Sequence, residues 1–437
     1  MPDRKFNIIT LGCKVNQYES AYLQETLVRS GWRHVARGER PNVTIVNTCI
    51  VTHNAAQQSR QAIRKAIREN PEGRVAAIGC YVQVYPDDIL QMEGIDLVAD
   101  NSMKGHVPES IIEVVETGSR SVLLNNFGRH TPFEFLPIRC FPDRTRAFLK
   151  VQDGCRSFCT YCIVPFARGP LRSLAPDKVI SMIMALSEEG YKEIVLTGIN
   201  LGKYGVDLDN HTNLVRLLEV ICKEDLPVRI RISSIEPKEI GPDLIDLVAS
   251  ARGVCRHLHI PLQSGDDRVL KKMNRNYTSS EFSRLIEEIH TKIPFAAIGI
   301  DVMSGFPGED YEAHQNTYSL IKDLPVSYLH VFPFSPRPGT PAAYFDDRIS
   351  PQTTKERAAH LRSLGREKRS QFYSSCLKKR FMMLVEGMYS EKDGLFIRGR
   401  SDNYIPTFVC TSQDLKGRLI PVRLERISGD KVIGTVA

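Results

Sequence analysis

Gly154-Cys155-Arg156-Ser157-Phe158-Cys159-Thr160-Tyr161-Cys162 sets three thiols within eight residues, spaced C-x3-C-x2-C. Thiolates gathered on one short loop repel one another and call for a soft metal. Zinc ordinarily takes four protein ligands, with Cys in C-x2-C pairs. The residues that follow, Ile163-Val164-Pro165-Phe166-Ala167-Arg168-Gly169, offer no fourth Cys or His. Three thiolates can instead hold a four-iron cubane whose fourth iron stays uncovered and reactive. A zinc completed by water or by a distant ligand is the competing reading.

Outward from this loop, strand signals fall at 146–152, 193–198, 228–234, 256–261, 298–305 and 327–334. Helical signals fall near 176–189, 212–223, 241–252, 279–291, 310–323 and 353–378. Six such units predict an open, partial (β/α)6 barrel, with the three-Cys loop at the strand end where barrel chemistry sits. The loop resembles the signature of the radical S-adenosylmethionine (SAM) enzymes, in which an aromatic residue precedes the last Cys; Tyr161 fills that place. With SAM across the strand ends, the turns that follow the strands gain a use. Gly198 and Asn200 lie after the second strand and Ser234 and Glu236 after the third. Gln263 lies in His259-Ile260-Pro261-Leu262-Gln263-Ser264-Gly265, and Gly305 opens Gly305-Phe306-Pro307-Gly308-Glu309. Each turn alone is ordinary; polar or Gly-rich turns at successive strand ends are more telling.

Three further strand signals end at cysteines: Asn7-Ile8-Ile9-Thr10-Leu11-Gly12-Cys13, Val43-Thr44-Ile45-Val46-Asn47-Thr48-Cys49 and Arg74-Val75-Ala76-Ala77-Ile78-Gly79-Cys80. Helix-like stretches at 19–30 and 54–69 separate them, a βαβαβ pattern that predicts a parallel sheet. Ligands of such sheets bind beyond the carboxyl ends of the strands, where all three Cys fall. A lone strand-end Cys is usually a small buried hydrophobe. Three in one topological place read as a second metal site, again with three thiolates.

Residues 118–145 read as a connector. From about 380, five short strand signals at 381–386, 394–400, 405–409, 418–425 and 432–436 predict a small OB-like β-barrel, a common oligonucleotide binder. Cys140, Cys222, Cys255, Cys376 and Cys410 have no partner spacing and read as packing residues.

At 42% hydrophobic and 25% charged residues, the composition is that of a soluble globular protein. No apolar run approaches 18 residues, so no membrane span is expected, and residues 1–7 carry no secretory h-region. Eleven Cys in 437 residues suit a reducing cytoplasm better than a disulfide scaffold. The formal charge of +7 is unevenly placed: residues 351–437 hold 17 Lys and Arg against 9 Asp and Glu, and the rest holds 41 against 42. A basic C-terminal fifth on a neutral body points to a polyanion such as nucleic acid, or to a solvated basic helix.

Together the three segments resemble the methylthiotransferase family, with its three-Cys N-terminal domain, radical SAM barrel and TRAM β-barrel. Leu11-Gly12-Cys13-Lys14-Val15-Asn16-Gln17-Tyr18-Glu19-Ser20 is similar to the branch acting on N6-threonylcarbamoyladenosine (t6A) beside the tRNA anticodon. The isopentenyladenosine branch usually shows G-C-Q-M-N there, and the ribosomal-protein branch G-C-P-K-N. Phe334-Ser335-Pro336-Arg337-Pro338-Gly339-Thr340 also fits, whereas Val302-Met303-Ser304-Gly305-Phe306 departs from the usual, more aliphatic run.

The resemblance implies domains at 1–125, 146–370 and 371–437, with a connector at 126–145. It implies two 4Fe-4S clusters, a catalytic one on Cys155, Cys159 and Cys162 and a second on Cys13, Cys49 and Cys80. SAM would be held near Tyr161, Gly198, Asn200, Ser234, Glu236, Gln263 and Gly305. The chemistry implied is radical removal of hydrogen from C2 of adenine and delivery of a methylthio group there, work that a cofactor must supply. The partners implied are the tRNA anticodon stem-loop, a low-potential electron donor and a sulfur donor, with no membrane and in the cytoplasm. The alternatives are the same chemistry on isopentenyladenosine tRNA or on a ribosomal protein, and a non-catalytic, zinc-containing RNA-binding protein. Residues from 371 are expected to hold tRNA through phosphates and to be removable with both clusters still assembling.

Overall fold

The computed structural model describes residues 4–437 apart from 37, 129, 143, 210, 392 and 393; the first three residues of the stretch read for a secretory segment lie outside it. The N-terminal layer runs β1 (Lys5–Thr10), α1 (Lys14–Arg29), β2 (Arg33–His34), β3 (Val43–Thr48), α2 (His53–Glu69), β4 (Arg74–Gly79), α3 (Cys80–Val84), α4 (Pro86–Leu90), β5 (Leu97–Ala99), α5 (Val107–Thr117) and β6 (Ser121–Leu123). Its six strands form a parallel sheet in the order β2-β1-β3-β4-β5-β6. Every residue of β3 is buried, as a parallel strand covered on both faces requires. Val46 and Ala77 pack to one face and Ile45 and Ala76 to the other, the period-2 alternation of a strand. Because β1, β3 and β4 are neighbours, their carboxyl ends stand side by side, and that brings the three strand-end cysteines to one edge.

Strands β2, β5 and β6 have two or three residues each, too short to show a period in sequence. β6 lies inside the stretch read as a connector, which is a correction. The remainder of that stretch is no loose linker. Leu136, Ile138 and Phe141 are buried in the barrel core, and Tyr18 Oη donates to the Leu136 carbonyl at 2.5 Å.

The central region runs β7 (Ala147–Lys150), β8 (Gln152–Asp153), α6 (Val164–Arg168), β9 (Arg172–Ser173), α7 (Pro176–Glu188), β10 (Glu193–Thr197), α8 (Leu214–Lys223), β11 (Arg229–Ile232), α9 (Pro242–Ser250), β12 (His257–Gln263), α10 (Asp267–Lys272), α11 (Ser279–Lys292), β13 (Ala297–Ser304), α12 (Tyr311–Asp323), β14 (Tyr328–Pro333) and α13 (Pro351–Ser375). β7, β10 and β11 pair in one parallel sheet and β12, β13 and β14 in another. Parallel bridges Ile230–Val254 and Ser234–His259 join the two. Six parallel strands thus stand in chain order around an open lumen, the expected partial barrel.

The chain ends in β15 (Arg380–Glu391), β16 (Gly394–Ser401), β17 (Pro406–Cys410), β18 (Leu419–Ser428) and β19 (Lys431–Val436), closed in the order β15-β16-β17-β19-β18. Helix α13 runs through residue 371 to Ser375. The β-barrel is fastened to the floor of the lumen. Arg229 donates to the carbonyls of Met382 and Arg400 at 2.6 and 2.9 Å, and Arg231 to those of Asp402 and Ser401 at 3.0 Å. Both guanidiniums also pair with the fully buried Glu193. Removing residues 371–437 would strip acceptors from two buried cations, which corrects the expectation of a detachable module. Cys255 and Cys376 are buried as read, but Cys140 and Cys410 are exposed. Among the described residues, no helix is long and apolar enough to cross a membrane.

Candidate active site

The three-Cys loop follows β7 and β8 and is tied down on several sides. Thr160 N donates to Met273 O at 3.0 Å, Cys155 N to Gly169 O at 3.1 Å and Ala342 N to Thr160 O at 2.9 Å. Asn274 Nδ2 reaches the Phe158 carbonyl at 3.1 Å. Donors already point at sulfur: Ser157 N lies 3.4 Å from Cys155 Sγ, and Arg275 Nη1 lies 3.2 Å from Cys159 Sγ. Burial pushes the Cys162 thiol up to about 12 and raises Cys159, against the pull of Arg275.

The rim residues named from the sequence divide into two groups. Asn200 and Glu236 line a polar cavity of about 340 Å³ together with Cys159, Glu239, Asn274 and Arg275. Asn200 N donates to Gln152 Oε1 at 2.7 Å, and Glu236 is ion-paired with Arg275. Ser234 is exposed beside them, its backbone bridged to His259. Tyr161 instead packs edge-on against Phe306 in an apolar cluster. At Gly305, which has φ +75°, a Cβ would sit 2.1 Å from Thr354 Oγ1, so α13 is what demands glycine there. Gln263 has φ +65° at the end of β12, and the flanking turn Gly198–Asn200 rests on Gln152.

The other trio gathers as the strand order demands. Cys13 caps α1, Cys49 follows β3, and Cys80 opens α3. Gly12, with φ +93°, passes so near Cys49 that a Cβ would lie 2.8 Å from its sulfur. The thiols feel one another: burial first, then Cys80 and Cys13, push Cys49 up to about 11, and burial raises Cys13. Asn101 Nδ2 donates to Cys80 Sγ at 3.3 Å and to the Ala167 carbonyl at 2.7 Å, so one amide holds both loops.

Beneath the two trios lies a buried charge network. Arg168, six residues past Cys162, sends Nη1 to Glu19 Oε1 at 2.5 Å and Nη2 to Asn16. Lys104 pairs with Glu19 at 2.6 Å, Lys150 with Glu19 and Asp153 at 3.4 and 3.3 Å, and Arg172 with Asp153 at 3.5 Å. Four buried cations thus face two buried carboxylates. Glu134, half-buried at the edge, has its carboxyl raised by burial, with Lys150 opposing, and accepts from Gly105 N at 2.6 Å. The excess positive charge sits beside Cys80 and Cys13, both of which act on Arg168. Thiolates there would balance it.

Comparison with known proteins puts a class of enzyme to this arrangement. Residues 5–100 match the description "Uncharacterized protein family UPF0004", and residues 149–321 match the radical SAM superfamily. The threonylcarbamoyladenosine tRNA methylthiotransferase MtaB of Bacillus subtilis (strain 168) is 37% identical over 95% of this chain and 92% of its own. The chain belongs to the radical SAM methylthiotransferase family. A second relative, the tRNA-2-methylthio-N(6)-dimethylallyladenosine synthase of Pelotomaculum thermopropionicum, is 32% identical over 98% of this chain and 97% of its own. The radical SAM methyltransferase TsrM of Kitasatospora setae shares the fold, with a TM-score of 0.56 at 15% identity over 76% of this chain and 73% of that one.

As a radical SAM enzyme, the methylthiotransferase uses SAM and a four-iron cluster. Its thiols fit a cluster better than zinc. Thiolates on one tetrahedral zinc lie roughly 3.8 Å apart, from a Zn–S bond of about 2.3 Å. Among the described residues, the one His, Cys, Asp or Glu group whose ligand atoms all fall within 4.8 Å is His259, Asp301 and His330, and neither Cys trio is drawn that tight. The N–H donors aimed at sulfur are also what thiolate-held clusters take.

The fold of the methylthiotransferase also gathers polar groups that the sequence alone did not expose. His259 Nε2 and His330 Nδ1 meet Asp301 Oδ1 at 2.8 and 3.4 Å in the lumen, and His259 Nδ1 meets Tyr328 Oη at 3.1 Å. The quoted His259 stretch was the one signal for this group. Glu239, one turn past Glu236 in the same cavity, is pushed up to about 7, chiefly by burial, with Lys203 opposing and Glu236 adding. It is therefore neutral below that pH and a carboxylate above it, whereas SAM brings cationic groups. SAM affinity should rise with pH between about pH 6 and pH 7, by up to about tenfold per unit. Equilibrium dialysis across this range would check it; a slope unchanged in Glu239→Gln would remove Glu239 from the SAM cavity.

Proposed function

We propose that this enzyme methylthiolates C2 of t6A next to the tRNA anticodon, giving 2-methylthio-N6-threonylcarbamoyladenosine. The observation that carries the chemistry is two separate thiol trios tied together by the buried Arg168, which follows the Cys155–Cys162 loop and bonds Glu19 and Asn16 of the helix that Cys13 caps. The choice of base is supported by relatives named for threonylcarbamoyladenosine at 33–37% identity, against 31–32% for relatives named for dimethylallyladenosine.

In this reading Cys155, Cys159 and Cys162 hold the SAM-cleaving cluster, and Cys13, Cys49 and Cys80 hold a second one for sulfur delivery. When bound, these groups supply one electron, a 5′-deoxyadenosyl radical and a methylated sulfur. The chain's own residues do the positioning. Asn200, Glu236, Glu239 and Arg275 present polar partners to SAM in the cavity beside Cys159, and Ser234, Gln263 and the turns at Gly198 and Gly305 complete the rim. Asn101 and Arg168 keep the two loops in register. Basic residues of α13 and the C-terminal barrel meet phosphates, and the target base leaves the single-stranded loop to enter the lumen, where unstacking costs least. The domains follow as 1–125, 126–145, 146–370 and 371–437. A low-potential electron donor and a sulfur donor complete the cycle in the cytoplasm.

The test is thiolation of three tRNAs that differ only at the target adenosine: threonylcarbamoylated, unmodified and isopentenylated. The threonylcarbamoylated one should react at least about tenfold faster, the discrimination a site gains from pairing a substrate polar group. Equal rates, or activity on the isopentenylated tRNA alone, would move the assignment to another branch and leave the chemistry intact.

A further inference from the structure

C2, N1 and the N6 substituent share one edge of adenine. A base whose C2 meets the Cys13, Cys49 and Cys80 trio therefore holds whatever N6 carries within a few ångströms of that trio. Threonylcarbamoyl differs from a plain or isopentenyl substituent in bringing a carboxylate. Burying that charge in the lumen is unfavourable unless a cation receives it.

Four arginines around the lumen are committed. Arg229 and Arg231 are held by Glu193 and by carbonyls of the C-terminal barrel. Arg146 pairs with Glu386 at 3.0 Å and with Glu193 at 3.8 Å. Arg400 lies 3.9 Å from Glu386 and covers the Tyr404 ring at 4.5 Å. The acid in the lumen is committed as well, since Asp301 is bonded to His259 and neighbours His330.

Lys14 differs from all of these. It is the first residue of α1, adjacent to Cys13, and it is exposed. Its ammonium has no hydrogen bond or ion pair among the described residues. It stands within electrostatic reach of Cys13, Tyr404, Arg146 and Arg231, and it acts on His257 at the base of β12. An unpaired ammonium therefore stands beside the sulfur-delivery trio, drawn by Tyr404 and Cys13 and repelled by Arg146 and Arg231. An anion there would find an ammonium that no carboxylate already holds.

We propose that Lys14 is the specificity-determining residue that takes the carboxylate of the N6-threonylcarbamoyl group. The inference rests on the substrate reading given above and names its recognition element. Lys14 contributes nothing to hydrogen removal; it holds the substituent, and through it the edge on which C2 lies.

The experiment measures affinity of the iron-loaded enzyme for anticodon stem-loops carrying t6A, t6A methyl ester or unmodified adenosine, in wild type, Lys14→Met and Lys14→Arg. Iron per chain serves as the check on folding and loading. Wild type should bind the t6A stem-loop at least about tenfold tighter than the other two, the scale of a charge-assisted hydrogen bond. Lys14→Met should bind all three within about twofold of one another, and Lys14→Arg should keep most of the preference. Blocking the carboxylate and removing the ammonium should not add, because each deletes the same interaction. A wild type that prefers t6A, with Lys14→Met preferring it equally, overturns this inference alone. A wild type indifferent to the threonylcarbamoyl group overturns it together with the substrate assignment.

Discussion

Alanine at Cys159 is expected to abolish SAM cleavage completely while iron per chain falls by about half, from two four-iron clusters to one. No spare ligand stands ready: the loop Cys155–Cys162 is followed by Ile163 to Gly169 without Cys or His, and Cys159 is buried against Arg275 and Glu236. Alanine at Cys155 or Cys162 should do the same. The reciprocal change, Cys13, Cys49 and Cys80 all to alanine, should also halve the iron but leave 5′-deoxyadenosine production measurable and stop methylthio transfer. Anaerobically reconstituted wild type should show the broad absorption of iron–sulfur clusters near 400 nm, roughly where thiolate-to-iron bands fall. A colourless zinc protein, or normal 5′-deoxyadenosine release from Cys159→Ala, would sink the assignment of this loop.

Arg168→Met should be nearly as damaging, although Arg168 carries no iron. Its guanidinium is fully buried and joins Glu19 and Asn16 of the first helix to the loop that follows Cys162. Breaking a buried pair by removing one partner costs about 3–5 kcal/mol. The positive field beside Cys13 weakens at the same time, so a thiolate there becomes harder to keep. We expect a large loss of soluble protein, and in what remains a selective loss of iron from the N-terminal trio, with Arg168→Lys intermediate. Wild-type yield and full iron in Arg168→Met would show the network to be dispensable.

Both trios were legible in the sequence because local signals carried them. Three β-branched runs each end in cysteine, and one loop holds three thiols, so their sharing of sheet edge and barrel rim follows from parallel topology. The strands of two or three residues were not legible, nor was the anchoring of the C-terminal barrel through Arg229 and Arg231. The same holds for the charge network. Arg168 and Glu19 lie 149 positions apart, and a single Arg past a Cys motif reads like any basic residue. The demand for glycine at Gly305 is hidden for a related reason: an added Cβ would meet Thr354 of a helix about fifty residues later. Glu239, Arg275 and the unpaired state of Lys14 depend on who else is near, and only the folded chain supplies that.

The buried network also orders events on the ribosome. Glu19 and Lys104 are made early, but Arg168 and Arg172 emerge more than sixty residues after Lys104. At roughly 5–20 residues per second, that is a delay of about 3 to 13 s. Until then Glu19 lacks its closest guanidinium and the positive field under Cys13 and Cys80 is half built. The N-terminal sheet therefore cannot be finished as an independent unit, and its thiols become fit to retain metal only after the first strand and loop of the barrel have been synthesised. The domain translated first waits for the opening segment of the second.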